Sequence, residues 1–239
     1  MILILGGLDP SGGAGICADL RVAYHVGIHA FCVTTCVIPQ NSSQVSNIFP
    51  LPIVAIRNSL DLIFADHSVE YVKIGAIYSS EIATFLADYL VAKGLSGKVI
   101  LDTPLMSSSG HSLHDANLPE VLSGKLIPIS LVVTPNLSEY NTYFQNTSGS
   151  FLIKSYNTTK THVIDALMQG NQIIKTFENP IIEGDHSRRR GTGCALAAAI
   201  ACNMCLSRDL YVSVHEGIRL VQTGILSAYT TGRVKVLNY

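Results

Sequence analysis

Two glycine turns stand near opposite ends of this chain, and each has the build of an anion holder. The later one, Gly191-Thr192-Gly193-Cys194, runs directly into Ala195-Leu196-Ala197-Ala198-Ala199-Ile200-Ala201, a small-residue segment that reads as a buried helix. A helix N-terminus offers backbone N–H groups without intrahelical acceptors and the positive end of the macrodipole, while glycines let a phosphate approach the backbone closely. Gly191, Thr192, Gly193 and Cys194 are therefore candidate catalytic residues. The turn would hold developing negative charge, and the Cys194 thiol lies in its positive field as an acid/base group or thiolate. Taken alone, a G-x-G-C string is more often a helix cap with a buried cysteine. The other turn reverses that weighting. It comprises Gly6-Gly7-Leu8-Asp9-Pro10-Ser11-Gly12-Gly13-Ala14-Gly15 and follows the apolar run Met1 to Leu5, so a buried strand opens into glycines and then into a helix. Asp19 falls in the first turn of that helix, Ile16 to about Val26, where simple dipole stabilisation is the bland reading.

Further polar residues collect where other apolar runs stop. Gln40-Asn41 follows the β-branched run His29 to Val37, Asp102 ends Lys98-Val99-Ile100-Leu101, and Thr134-Pro135-Asn136 ends Ser130-Leu131-Val132-Val133. In open α/β sheets the carboxyl edge of the strands is where ligands bind. Glu139 lies three residues beyond Asn136, a spacing that also suits a helix cap and a first-turn acid.

The elements that must position these groups alternate along the chain. Helices are expected at about 52–66 and at 79–93, the latter opened by Ser80 as cap, with strands at 69–74, 98–101 and 130–133. Weaker strands follow near 151–154, 162–166 and 171–177, before two closing helices. Strand-like runs alternating with helical segments predict one α/β domain over residues 1–239, with helices on both faces of a mostly parallel central sheet.

With 239 residues, 48% hydrophobic and 14% charged, the chain can bury one large core and is too apolar for disorder. A net charge of -1 and the absence of a basic arm give no electrostatic drive toward nucleic acid or an anionic membrane. The expected partner is a small molecule. The six cysteines lie mostly within apolar runs, and Cys202-x-x-Cys205 has no second ligand pair, which points to reduced thiols in a cytoplasmic protein rather than to a zinc site. The eight histidines form no metal-ligand pattern. No cationic leader with a cleavage site is visible, and no apolar run approaches membrane-spanning length.

In order along nearly the whole chain, several strings closely resemble the hydroxymethylpyrimidine/phosphomethylpyrimidine kinases of thiamine biosynthesis, within the ribokinase-like superfamily. They are Gly7-Leu8-Asp9-Pro10-Ser11-Gly12-Gly13-Ala14-Gly15 with Ala18-Asp19-Leu20, Gln40-Asn41, Lys73-Ile74-Gly75, Asp102-Thr103-Pro104, Ser109-Gly110, Thr134-Pro135-Asn136 with Glu139, and Gly191-Thr192-Gly193-Cys194. Each string is weak, but the combination is specific. The cysteine in the last turn favours the pyrimidine and pyridoxal-related branch over sugar kinases.

The resemblance implies a three-layer αβα sandwich of ribokinase-like fold and transfer of the ATP γ-phosphoryl group to 4-amino-5-hydroxymethyl-2-methylpyrimidine, and then to its monophosphate. It also implies that Cys194 accepts the hydroxyl proton, that Gly7, Asp19 and Gln40 hold the ring, and that Asn136, Glu139 and Lys154 bind the nucleotide. Asp102 and Glu139 would serve Mg²⁺, and a homodimer is expected. An aminopyrimidine edge carries donors and acceptors, to which a carboxylate and an amide are suited.

Four features depart from the family pattern. Ala76 stands where a methionine usually faces the ring. Only Tyr140 to Ser150 separate Glu139 from Phe151, too few for a full crossover helix. Ile153-Lys154-Ser155-Tyr156 replaces a V-K-G-G turn, and Arg188-Arg189-Arg190 precedes the G-T-G-C turn where Thr-His is usual. Three arginines beside an anion hole could bind phosphate, although such a run is more often a solvated loop. A pyridoxal-type kinase and a ligand-binding relative with weak or lost ATP turnover are the rival readings. A dinucleotide-binding oxidoreductase is disfavoured because no acid ends the second strand.

Overall fold

The structure is a computed structural model, and it describes residues 1–107, 110–184 and 189–239. Ser109 and Arg188 of the strings above lie outside the described residues. From the N-terminus the chain forms β1 (Ile2–Leu8), α1 (Gly15–Val26), β2 (Ala30–Val37), β3 (Phe49–Pro50), α2 (Ile53–Asp66), β4 (Tyr71–Ile74), α3 (Ser80–Ala92) and β5 (Val99–Leu101). There follow α4 (Leu118–Val121), continued by a π turn and a 3-10 turn to Ile129, then β6 (Ser130–Val133) and α5 (Leu137–Glu139), continued by a π turn to Phe144. Next come β7 (Ser150–Thr158), β8 (His162–Gln169), β9 (Gln172–Pro180), β10 (Arg189–Arg190), α6 (Thr192–Cys205), α7 (Leu210–Leu226), β11 (Tyr229–Thr231) and β12 (Val234–Val236).

The main sheet has the order β3-β2-β1-β4-β5-β6-β7-β8-β9. It is parallel from β2 through β7 and antiparallel at both margins. β1 is apolar without alternation because both its faces are covered. Ile2 and Ile4 pack toward Ile16 and Ala23 of α1 and Cys202 of α6, whereas Leu3 and Leu5 join Ile56 and Leu60 of α2 and Ile82 and Leu86 of α3. A second apolar cluster sets Ile100, Val132 and Leu152 of the sheet against Leu196 and Ile200 of α6 and Val214 and Ile218 of α7. The result is the three-layer αβα sandwich with a mostly parallel sheet that the sequence implies.

This topology makes a crevice. From β1 the chain goes to β2 on one side, then returns through α2 to β4 on the other, so the loops leaving β1 and β4 diverge over the carboxyl edge.

Several boundaries differ from expectation. α1 starts at Gly15, so Asp19 lies beyond its first turn and points into the core. Ser79 rather than Ser80 caps α3, accepting from the Ile82 N–H at 3.4 Å, while Ser80 is held by Asp115 through its backbone and hydroxyl. β7 to β9 are longer than the apolar runs suggest, because antiparallel pairing continues past the buried residues into exposed ones. A small sheet of order β10-β12-β11 was not anticipated. Its two- and three-residue strands are too short to show a period. The crossover from β6 to β7 is short as expected, holding only α5 and its π turn, and the parallel pairing there reduces to Val133 with Phe151. Among the described residues no helix is long and apolar enough to cross a membrane.

Candidate active site

The glycine turn after β1 is organised by Asp9, a buried carboxylate that accepts from the Ser11 N–H at 2.8 Å, the Ser11 hydroxyl at 2.7 Å and the Ala14 N–H at 2.9 Å. Gly15 then starts α1 at φ +59°, where a Cβ would lie 2.2 Å from the Gly7 carbonyl oxygen. Only glycine fits that approach. At the far end of the sequence, Gly191 caps α6 at φ +81°. The first intrahelical bond runs from the Ala195 N–H to the Gly191 carbonyl at 2.8 Å, leaving the N–H groups of Thr192, Gly193 and Cys194 without an acceptor inside the helix.

The two turns meet. A Cβ at Gly191 would sit 2.4 Å from the Gly13 carbonyl oxygen, and the Gly15 N–H donates to Cys194 Sγ. Between them opens a cavity of about 490 Å³ whose wall includes Gly7, Gln40, Asp102, Asn136, Glu139, Lys154, Gly191, Thr192, Gly193 and Cys194. A second cavity of about 270 Å³ lies on the other side of Lys154, Thr192 and Gly193, among Val163, Ile182, Leu196, Val221 and Ile225. The anion-holding turn thus borders both chambers.

The remaining sequence candidates are distributed as follows. Asn136 and Glu139 form a capping box: Asn136 Oδ1 accepts from the Glu139 N–H at 2.8 Å, and Glu139 Oε2 accepts from the Asn136 N–H at 2.9 Å. Glu139 Oε1 takes the Leu105 N–H at 3.2 Å, so both its oxygens are already engaged. Lys154 Nζ lies 3.2 Å from Asp102 Oδ1 and close over Gly193, and Thr134 also donates to that oxygen at 3.3 Å. Ser155, where the family pattern has glycine, adopts φ +51° and donates its N–H to Asp165 at 2.7 Å.

Asp19 requires correction. It has no exposed surface and does not line the cavity, and its Oδ2 pairs at 2.7 Å with Lys73, which is equally buried. Its carboxylate therefore lies behind the cavity wall and not in it. A Cβ at Gly75 would lie 2.7 Å from Lys73 Nζ, which places the ammonium against the backbone next to Ala76 of the cavity wall. Sequence reasoning named Lys73 only as part of a string. A lysine inside an otherwise apolar central strand was the available signal, since such a charge needs a partner. Asp9 likewise stood only within a string, and Arg190 was weighed only as part of an arginine run that could bind phosphate. Arg190 is buried and donates from Nη1 to Gln40 Oε1 at 2.6 Å, across 150 positions of sequence. Arg189 donates instead to the backbone carbonyls of Ile182 and Glu183.

Burial and charge set the protonation states. Burial pushes the Cys194 thiol up to about 12 against the pull of Lys73, which favours an acid/base thiol over a preformed thiolate. Burial also works to raise Asp102, but Lys154 and Lys73 outweigh it and keep this carboxyl below its usual range. Glu139 is raised, chiefly by burial. Lys73 would be lowered by burial alone, yet Asp19, Cys194 and Asp102 hold its ammonium above the ordinary lysine range.

Comparison with known proteins is decisive at this point. The sequence profile of the phosphomethylpyrimidine kinase family matches residues 9–150 and 144–237. The chain belongs to the phosphomethylpyrimidine kinase family. The two matched stretches meet at the shortened crossover. A relative, the bifunctional thiamine biosynthesis protein ThiDN of Methanocaldococcus jannaschii, is 33% identical over 230 residues, which is 95% of this chain and 54% of that protein. The chain thus spans about half the length of that relative. The hydroxymethylpyrimidine/phosphomethylpyrimidine kinase of Aquifex aeolicus is 29% identical over 97% of this chain and 96% of its own length. In fold the chain is similar to Bacillus subtilis pyridoxal kinase in an ADP complex, with TM-score 0.84 and 22% identity over 99% of this chain and 96% of that one. It is also similar to the phosphomethylpyrimidine kinase of Clostridium difficile, with TM-score 0.78 and 24% identity over 94% and 98%.

Proposed function

We propose that this member of the phosphomethylpyrimidine kinase family transfers the γ-phosphoryl group of ATP to the hydroxymethyl group of 4-amino-5-hydroxymethyl-2-methylpyrimidine, and then to the resulting monophosphate, in thiamine biosynthesis or salvage. The observation that supports it most is the meeting of the two glycine turns around one chamber. The ring would lie against Gly7, Ala76 and Gln40, with its alcohol toward Cys194. Met106 and Ile38 also line that chamber, supplying apolar surface where Ala76 is small. The nucleotide would occupy the smaller cavity, with its phosphates crossing Thr192 and Gly193 beneath Lys154.

Phosphoryl transfer asks chiefly for positioning and charge stabilisation. The substrate oxygen bonds to the γ-phosphorus while the bond to the β,γ-bridging oxygen breaks and its electron pair leaves with ADP. N–H groups of Thr192, Gly193 and Cys194, with Lys154, receive the negative charge spread over the phosphoryl oxygens. The hydroxyl proton leaves late, to the Cys194 thiolate and then to water. Burial favours the thiol, so raising the pH would assist this proton transfer.

Mg²⁺ prefers one or two carboxylates with several waters and phosphate oxygens. Asp102, kept ionised at the chamber wall, suits that donor set. Glu139, with both oxygens on backbone N–H groups, would act through water. The bound ion would neutralise phosphate charge.

The test is incubation with Mg²⁺-ATP and the pyrimidine alcohol, following phosphorylated products by mass, with pyridoxal as a parallel substrate. Mono- and diphosphorylated pyrimidine are expected. Product from pyridoxal alone would move the assignment to a pyridoxal-type kinase, and no product from either would leave a ligand-binding relative. The homodimer implied by the resemblance and the cytoplasmic location read from the cysteines belong to this proposal as well.

A further inference from the structure

Lys154 sits where β7 leaves its regular pairing with β8. Ile153 pairs with Ala166 and Asn157 pairs with Ile164, so Lys154, Ser155 and Tyr156 together stand opposite a single residue, Asp165. A bulge of this kind interrupts the ladder, and beside an active site it re-aims a side chain. Here the backbone is gripped on both sides of that side chain. The Lys154 N–H donates to the Pro135 carbonyl oxygen at 2.9 Å. One residue on, Ser155 turns into the left-handed region at φ +51° and donates its N–H to Asp165 Oδ1 at 2.7 Å. Lys154 thereby reaches over the start of α6, with Nζ 3.2 Å from Asp102 and 3.1 Å from the Cβ position of Gly193. Asp165 is only 8% exposed and lines the smaller cavity together with Lys154, Thr192 and Gly193. Burial raises this carboxyl, while the Ser155 N–H and Lys154 oppose the rise. A buried acid beside a phosphate path is costly, and what it holds in this structure is the turn that carries the lysine.

Resting on the kinase reading above, we propose that Asp165 is a positioning residue for phosphoryl transfer: by holding the Ser155 N–H it sets the bulge in β7 that aims the Lys154 ammonium at the phosphoryl group on Gly193. Asp165 acts through the backbone and does not touch the transferring group. A non-glycine residue avoids the left-handed region, so without its acceptor the Ser155 turn relaxes toward ordinary strand and carries Lys154 with it. The acceptor must also sit at the right depth. What matters is an oxygen at that point in space, whether or not the group is charged.

The experiment is a double-mutant cycle of Asp165→Ala with Lys154→Met, read as ADP release with Mg²⁺-ATP and the pyrimidine alcohol. In the wild-type background Asp165→Ala should lower kcat by about 10²-fold, the usual cost of a 1 Å misplacement at a transfer site. In the Lys154→Met background the same change should cost less than about threefold, because the group it positions is already gone. An equal loss in both backgrounds would overturn the proposal, since it means a general structural role. A rise in the KM for ATP with kcat unchanged would also overturn it, by making Asp165 a contact to the nucleotide itself. Asp165→Asn and Asp165→Glu keep a polar side chain and so guard against a variant that fails to fold. Asparagine retains an acceptor at the same depth and should stay within about threefold of wild-type kcat, whereas glutamate, longer by one methylene, should lose about tenfold or more. The reverse order would show that charge and not geometry is needed. Absence of turnover in the wild type with either the pyrimidine or pyridoxal would sink the kinase reading. The cycle is then read on calorimetric dissociation constants for ADP, where Asp165→Ala should weaken binding only when Lys154 is present, and a wild type that does not bind ADP would sink both.

Discussion

Replacing Gly191 with alanine tests how closely the two turns must approach. Two costs follow from the geometry. Gly191 has φ +81°, a left-handed conformation that costs an L-residue about 1–2 kcal/mol. In addition, the new Cβ would lie 2.4 Å from the Gly13 carbonyl oxygen, whereas ordinary contact begins at 3.4 Å. The turn must therefore withdraw by about 1 Å, and a displacement of that size at a transfer site costs about 10²-fold in rate. For a domain of this length the backbone cost corresponds to a fall in Tm of about 2–8 °C. Gly97→Ala is the control, because Gly97 has φ +75° with nothing within 4 Å of its Cβ position and lies away from the chamber. Both variants should lose stability in thermal melts, Gly191→Ala at least as much as Gly97→Ala because it adds the clash with Gly13. Only Gly191→Ala should lose kcat in an assay of ADP release with the pyrimidine alcohol. A Gly191→Ala enzyme within threefold of wild-type kcat would refute the argument that the anion-holding turn is registered against Gly13.

Other outcomes follow from the buried charges and the strained backbone. Lys73→Met should destabilise by about 3–5 kcal/mol because it leaves Asp19 buried without a partner, and Lys73→Met with Asp19→Leu should recover most of that loss; urea unfolding that places the single variant within 1 kcal/mol of wild type would show the pair to be unimportant. Cys194→Ala should lower kcat about 10²-fold or more. With the thiol pushed up to about 12, kcat/KM should rise steadily between pH 6 and pH 9, and a flat profile would remove Cys194 as the proton acceptor. Folded-state thiols at Cys36, Cys194, Cys202 and Cys205 are all raised above the ordinary thiol range, chiefly by burial. The unfolded chain therefore releases those protons first, so stability should be constant below about pH 8 and fall as pH rises past 9; urea midpoints unchanged from pH 8 to 10.5 would contradict this. Ser155→Gly should raise the urea-derived stability by about 1 kcal/mol by relieving the left-handed strain, and a loss instead would mean the Ser155 side chain contributes to the fold.

The fold was legible because each central strand is an unbroken apolar run and each glycine turn follows one. β1 and α1 read almost directly from Ile2 to Val26, and the polar residues at 40, 102 and 134–136 marked the ligand edge. What escaped depended on partners remote in sequence. Asp19 looked like a first-turn acid open to a ligand, and only the packing of α1 on β4 shows that it answers Lys73. Arg190 looked like part of a solvated run, because nothing local to residues 188–190 discloses Gln40. The marginal strands β3 and β10 to β12 have no periodicity to detect and exist through pairing alone. At Cys194 the positive helix terminus was legible in the sequence, whereas the opposing cost of burying a charge shows only in the packing.

The central claim is that one chamber lets an alcohol attack the γ-phosphorus directly, with no phosphorylated side chain between. Its most direct test is the stereochemical course at phosphorus, using ATP made chiral at the γ-position with sulfur and oxygen isotopes. A single in-line displacement predicts inversion in the phosphorylated pyrimidine. Retention would contradict the account, since it requires two successive transfers.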